Sequence, residues 1–211
     1  MKIIRNTLEE DVWETHLQKN YESNDRTGTH VSDLLLCLRQ PILAKQNKPN
    51  WETQTLFRFT MGRSLEKSFF QDVIPEATKE LEVEKNGIVG HIDFAGEKFD
   101  YECKLTWSRE PKEQYLEQDF KPYWLDQAGA YTHMRGRTSM RFIVCYLNPV
   151  PRLRCYEINW EEHELEDLWN SFIRKKIYVD KKVSNNELPM RTVEDWLCKG
   201  CPYKEVCYAG K

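Results

Sequence analysis

No run of apolar residues in the chain approaches the roughly 20 that a membrane-spanning helix requires. The start, MKIIRNTLEEDVWE, is already acidic at Glu9 and Glu10, too soon for the apolar stretch of a signal peptide. A cytoplasmic location without a membrane partner is therefore expected. Internal repeats and low-complexity segments are also lacking. An excess of one charge is missing as well: 31 Lys and Arg stand against 34 Asp and Glu, a net charge of −3. That balance excludes a general polyanion binder but leaves local patches open. Cysteine is not scarce. The seven cysteines are an odd number, and in a reducing compartment they are poor disulfide candidates. Some of them need another purpose.

A chain of 211 residues suits one domain, or one domain with a small appendage. Hydrophobic residues at 40% and aromatics at 12% suffice for a packed core and argue against disorder. Between Asp126 and Glu157 there is no acid, yet Arg135, Arg137, Arg141, Arg152 and Arg154 fall there. This stretch is either a solvated face or a phosphate-facing one, in which Arg135, Arg137 and Arg141 would bind DNA.

The hydrophobic pattern predicts a mixed α/β order. A short amphipathic helix and a polar loop, YESNDRTGTH, fill 1–31. Ser32 reads as the N-cap of a helix through Leu34, Leu35, Leu38 and Ile42, which Pro41 can kink or split. A second helix is expected over 53–73, ending before Pro75. Strands follow at 81–85, 88–94 and 98–105, the last two joined by a turn at Ala95-Gly96-Glu97. The stretch 106–121 is polar and irregular. Its Trp107 and Tyr115, with Tyr123 and Trp124 beyond, suit either stacking on unpaired bases or packing under a lid. Pro122 opens a helix reaching Gly136. MRFIVCYL and LRCYEI are further strands, 161–179 is a charged amphipathic helix, and a short helix ends in LCKGCPYKEVC.

Chemistry gathers on two of the strands. In KFDYECKL, Phe99, Tyr101, Cys103 and Leu105 point one way, and Asp100, Glu102 and Lys104 the other. The preceding strand pairs Ile92 with Phe94 as its apolar face, leaving His91 and Asp93 opposite. In a hairpin both apolar sets belong on the core side, because a one-residue slip would bury charges. Asp93, Glu102 and Lys104 then share one face. Two carboxylates and a lysine suit phosphodiester hydrolysis: hard oxygen ligands hold Mg²⁺ or Mn²⁺, and the lysine orients water or neutralises the phosphate. An exposed strand with alternating charges is the plainer reading of the same residues. His91 is read as a bystander.

Cys198 and Cys201 are separated by two residues, with Cys207 close behind, which is metal-binding spacing. Cys103, Cys145 and Cys155 lie within expected strands, as small buried apolar side chains. Cys37 remains as a fourth thiolate. Four thiolates suit zinc or a [4Fe–4S] cluster, and spacing does not choose between them.

Taken together, the motifs carry a resemblance. GHID and ECK, with Asp93, Glu102 and Lys104, resemble the PD-(D/E)XK nuclease signature. Gly62 to Glu66 resembles the GxxxH/E helix motif of its RecB-like branch, and Gln127 with Tyr131 resembles that branch's QxxxY motif. Cys37-x-Arg39 before these motifs, and CxxCxxxxxC after them, are similar to the iron–sulfur RecB-type nucleases. The chain is most similar to the fourth CRISPR-associated (Cas) exonuclease family or to a stand-alone viral or phage homologue. The resemblance implies an α/β restriction-endonuclease-like core with a mixed central sheet flanked by helices. It implies a helical N-terminal part over 1–75, a nuclease core over 76–185 and a cluster-binding segment over 186–211, forming one compact unit. It also implies Mg²⁺ or Mn²⁺ on Glu66, Asp93, Glu102 and the Cys103 carbonyl, with Lys104 assisting water. Gln127 and Tyr131 would position the strand, Arg63 would bind DNA, and a [4Fe–4S] cluster would sit on Cys37, Cys198, Cys201 and Cys207. The activity implied is exonuclease cleavage of single-stranded DNA, in CRISPR spacer acquisition or in viral or phage recombination and end processing. The partners implied are DNA and the CRISPR integrase complex or recombination proteins. Two other classes share these features: an iron–sulfur protein that binds DNA ends or an integrase with little or no cleavage, and a zinc-stapled structural protein.

Overall fold

The structure, a computed structural model, describes residues 11–12, 15–17, 27–49, 51–70, 72, 74–115, 120–191, 193 and 195–209. In chain order the first elements are β1 (Thr29–His30), α1 (Val31–Leu35), α2 (Gln40–Gln46) and α3 (Thr53–Leu65). Three strands follow, β2 (Thr78–Lys85), β3 (Ile88–Ala95) and β4 (Asp100–Arg109). After α4 (Pro122–Met134) come β5 (Ser139–Asn148) and β6 (Arg152–Asn159), then α5 (Glu162–Ser184), α6 (Asp195–Lys199) and α7 (Lys204–Ala209). Residues 11–12 and 15–17 are helical; the rest of the expected N-terminal helix lies outside the described residues. Among the described residues no helix is long and apolar enough to cross a membrane.

Asn86 and Gly87 both have left-handed backbone, φ 53° and 70°. An Asn-Gly pair in that conformation makes the tight turn that suits a hairpin's twist, and here it joins β2 to β3. β4 pairs antiparallel with the end of β3, at Phe94↔Tyr101 and Ala95↔Asp100, and parallel with β5. The parallel pair needs a crossover, which α4 provides. β6 returns antiparallel along β5, and β1 lies parallel to the start of β3. A strand has two edges. Because β2 takes one edge of β3, β1 and β4 share the other at opposite ends, and residues 90–93 pair there with neither.

Helices cover both faces of this mixed sheet. The main core joins Val31 and Leu34 of α1, Ala128 and Tyr131 of α4 and Phe172 of α5 to Met140, Phe142 and Val144 of β5. Each fully buried side chain such as Phe142 or Phe172 contributes on the order of 1.5–3 kcal/mol. On the other face a smaller cluster joins Phe94 and Ile143 to Leu65 at the end of α3, with Ile74, Ala77, Tyr101 and Cys103.

Several expectations change. The helix expected from Ser32 does split, as Pro41 allows, but ahead of the proline: Cys37 lies in the break and Pro41 in the first turn of α2. His30, not Ser32, caps α1, its backbone N–H donating to Asp33 Oδ2 at 2.9 Å. α3 ends at Leu65 and continues as a π turn over Glu66–Phe70. β4 runs on to Arg109 through residues read as irregular, and α5 extends to Ser184. The largest correction concerns the hairpin faces. Glu102 pairs with Phe142 and Lys104 with Val144, both main-core residues, whereas Tyr101 and Cys103 face the smaller cluster. The charged set thus lies on the side covered by α4, not on an open polar face. Ile92 and Phe94, two apart in β3, also fall in different clusters.

Candidate active site and cysteine cluster

The site begins where β3 and β4 part. Asp93 lies on the unpaired stretch of β3, and its Oδ2 accepts the Cys103 backbone N–H at 2.7 Å. Across the hairpin, Glu80 has φ 45°, and no pair forms between it and Asp93, although Lys79↔Phe94 and Leu81↔Ile92 flank the position. Left-handed backbone at a residue other than glycine costs about 1–3 kcal/mol and clusters at functional sites.

Glu102 is 1% exposed and accepts a hydrogen bond from Lys104 Nζ through Oε1. Among the described residues its Oε2 has no hydrogen-bond partner. Lys104 Nζ also donates to Gln127 Oε1 at 2.9 Å, and Gln127 Nε2 donates to the Tyr131 hydroxyl at 3.1 Å. Gln127 and Tyr131, one helical turn apart on α4, form a relay reaching Lys104. Tyr131 lies so close over β3 that a Cβ at Gly90 would stand 2.8 Å from its ring, which explains the glycine of GHID.

Burial, followed by Asp93 and Glu80, pushes the Glu66 carboxyl up to about 7 against the pull of Lys104. Burial and Asp93 push Glu102 up to about 8. Asp93 is raised by burial, despite Lys104 and the Cys103 N–H. Burial works to lower Lys104, but Glu102 and Asp93 outweigh it and hold the ammonium above its usual range. Lys104 alone does not balance these carboxylates. Oxygen donors with surplus negative charge and an unpartnered buried Oε2 suit a hard divalent cation. Among the described residues, no three His, Cys, Asp or Glu side chains already stand at the mutual spacing of a loaded metal site.

Glu66 and Lys104, with Arg63, line a cleft of about 870 Å³. Glu66 enters it at the junction of α3 and the π turn, an irregularity common at functional sites. Sequence reasoning missed Glu80, because the strand was expected to begin one residue later. The row Glu80, Glu82, Glu84 on one face of β2 was the available signal.

The other candidates lie elsewhere. Asp100, 2% exposed, takes Arg135 Nε at 3.1 Å and Arg137 Nε at 3.5 Å. Arg137 also donates to the carbonyls of Gly96 and Glu97. Arg141 pairs with Glu157 at 3.0 Å and covers the Phe99 ring. His91 pairs with Glu82 and stacks on His30. Trp124 is buried against Phe120 and Tyr123 is half-buried, whereas Trp107 is 40% exposed.

Cys37, Cys198, Cys201 and Cys207 line one small cavity between the α1–α2 break and the C-terminal helices. Burial raises the Cys201 thiol, and Cys37, Cys198 and Cys207 are close enough to raise it further. Arg39 reaches across, donating from Nε to the Pro189 carbonyl at 2.6 Å and from a terminal nitrogen to Cys207 Sγ at 3.4 Å. Converging thiols beside a cation suit a thiolate-held metal centre. Cys103 and Cys145 are half-buried, and Cys155, expected to be buried, is exposed on β6.

No protein-family model matches the sequence, and no curated protein aligns with it. Among solved structures, the crystal structure of SSO0001 is similar over 98% of both chains, with TM-score 0.59 and 17% identity. An alkaline exonuclease from Laribacter hongkongensis, crystallised with dAMP, matches over 83% of this chain and 95% of its own, with TM-score 0.53 and 13% identity. A phage-related exonuclease from Haemophilus somnus 129PT matches over 87% and 85%, with TM-score 0.51 and 14% identity. At such identities the likeness is one of fold: a restriction-endonuclease-like mixed sheet flanked by helices.

Proposed function

We propose that this chain is a metal-dependent deoxyribonuclease of the RecB-like kind, acting from an end on single-stranded DNA. The observation that carries the reading is the convergence of Glu66, Asp93 and Glu102 on Lys104, with the buried Glu102 Oε2 left without a partner among the described residues. Two neighbours in fold are exonucleases, and one of them holds a deoxynucleotide.

Glu66, Asp93 and Glu102, with the Cys103 carbonyl, would hold Mg²⁺ or Mn²⁺. Bound there, the ion would polarise the scissile phosphate and ease ionisation of a water. Lys104 Nζ, fixed by Glu102 and Gln127, places a positive charge where the phosphate gains negative charge. Tyr131 holds Gln127 and so keeps Lys104 aimed. Arg63, on the cleft wall, meets the phosphate backbone. Cys37, Cys198, Cys201 and Cys207 would carry a [4Fe–4S] cluster that clasps the C-terminal segment to the α1–α2 break. The biological setting we infer is CRISPR spacer acquisition or viral or phage DNA-end processing, beside an integrase or recombination partner.

The test is degradation of end-labelled single-stranded oligonucleotides with Mn²⁺ against EDTA. Cleavage in Mn²⁺ only is expected. No cleavage in Mn²⁺, or equal cleavage in EDTA, overturns the reading. Iron and sulfide analysis with absorbance near 400 nm tests the cluster, and zinc found in place of iron would refute it.

A further inference from the structure

One wall of the cleft is aromatic and basic in a way that hydrolysis does not require. Arg58, Phe59, Trp107 and Lys121 line it beside Glu66 and Lys104. Trp107 owes its place to an irregularity in β4. Thr106 pairs with Tyr146 and Arg109 with Asn148, so β4 carries one more residue than β5 across that step. Such a bulge re-aims side chains and is common beside active sites. Here it leaves Trp107 40% exposed on the cleft wall rather than packed against β5. The Arg58 guanidinium stands 5.4 Å from the indole centroid, and Phe59, 37% exposed, lies beside it on α3.

We propose that Trp107, oriented by Arg58, is a stacking seat for an unpaired base of the DNA strand, next to the phosphate held at Lys104. This rests on the nuclease reading and deepens it. A flat ring accepts any base face, but only from a strand whose bases are not stacked in a duplex, so the seat selects single strands. Charge points the same way. The cleft lining carries Arg58, Arg63, Lys104 and Lys121 against the single carboxylate of Glu66, which suits a phosphate backbone. Trp107 lies three residues beyond Lys104 on the same strand, roughly 10 Å at the rise of a β-strand, so the base seat and the phosphate site share one cleft wall. Trp124 and Tyr123 do not compete, because Trp124 belongs to the core and Tyr123 packs against it.

The experiment compares wild type, Trp107→Phe and Trp107→Ala on single-stranded oligonucleotides in Mn²⁺. Trp107→Ala should raise KM about ten- to a hundredfold, with the loss carried in KM rather than kcat, while Trp107→Phe keeps a ring and stays within about threefold. An abasic residue at the seated position should raise the wild-type KM similarly and add little to the effect of Trp107→Ala. An unchanged KM in Trp107→Ala, or losses that multiply, overturns the seat. If wild type cleaves nothing in Mn²⁺, the nuclease reading falls by itself. The seat is then decided in EDTA with a 2-aminopurine oligonucleotide. Quenching on binding to wild type but not to Trp107→Ala supports it, and equal signals from both overturn it.

Discussion

Asp93 Oδ2 accepts the Cys103 backbone N–H at 2.7 Å, so a side-chain oxygen closes the ladder where β3 and β4 separate. One carboxylate therefore serves two ends: it satisfies a strand donor and places its charge beside Lys104. The two roles separate by mutation.

Asp93→Asn keeps an oxygen for the Cys103 N–H and loses the charge. Cleavage should fall at least about a hundredfold while the urea midpoint stays near wild type. Asp93→Ala loses the acceptor as well, and leaving that N–H unpaired should cost a further 1–3 kcal/mol or so. Near-normal turnover in Asp93→Asn would remove Asp93 from the metal site. Because Glu102 is buried under α4, its test variant is Glu102→Gln, which preserves volume.

The crowded carboxylates make metal-free stability depend on pH. A free glutamate titrates near 4.5, and Glu66 and Glu102 are held at about 7 and about 8 in the fold. Between those limits the folded protein keeps protons that the unfolded chain has released, so stability falls as pH rises from about 4.5 to 8. In EDTA the melting temperature should be several degrees higher at pH 5.5 than at pH 8. Mg²⁺ or Mn²⁺ should raise it more at pH 8, where the carboxylates are free to bind. Glu66→Gln should flatten the slope. A melting temperature that rises with pH in EDTA, or a metal effect larger at pH 5.5, would contradict this picture of the site.

The acid-free stretch divides by burial. Arg137 faces Asp100, which is 2% exposed, so Arg137→Glu places a carboxylate beside a buried one and should cost on the order of 3–5 kcal/mol. Arg141 meets Glu157 at a solvent-accessible pair, and Arg141→Glu should cost about 1 kcal/mol or less. Urea denaturation ranks the two, and equal losses would deny the Asp100 pair its structural role. Arg141→Glu, still folded, is then the variant for DNA. A shallower salt dependence of affinity marks a phosphate contact, and an unchanged slope places Arg141 away from the strand.

Strand alternation made it legible that Asp93, Glu102 and Lys104 share a face, and the spacing of Gln127 and Tyr131 made it legible that they would meet. Periodicity does not say what packs on a face. It therefore assigned the apolar side of β4 to the core, whereas α4 crosses over the side carrying Glu102 and Lys104. Burying that side is tolerable because Lys104, Gln127 and Tyr131 partner one another. Trp107 was read as loop because a bulge breaks the alternation where β4 continues. Glu80 was missed because the strand was expected to begin one residue after it, although Glu80, Glu82 and Glu84 alternate along β2. Arg137 looked like a DNA contact because a run of arginines names no partner, and Asp100 lies 37 positions earlier in the chain.

Cys37 and the three C-terminal cysteines are about 160 residues apart in sequence, yet they line one cavity. A centre ligated by all four would close nearly the whole chain into a loop. Restricting the unfolded chain in that way is worth on the order of 4–5 kcal/mol if the clip behaves like a long-loop disulfide. Cys37→Ala should therefore act like Cys201→Ala despite the distance: absorbance near 400 nm bleaches, iron is lost and the melting temperature drops. Cys155→Ser, exposed on β6, should match wild type in all three. Arg39 sharpens the comparison, because its bonds to Pro189 and Cys207 tie the same two regions without any metal. If those bonds did most of the joining, Arg39→Ala would destabilise while retaining full iron content, and Cys37→Ala would lose iron with little change in melting. If the cluster does the joining, Cys37→Ala is the more damaging of the two, and chelating the wild-type protein reproduces its melting temperature. Wild-type iron content in Cys37→Ala would leave the centre to the C-terminal cysteines alone and undo the account of how the two ends are held.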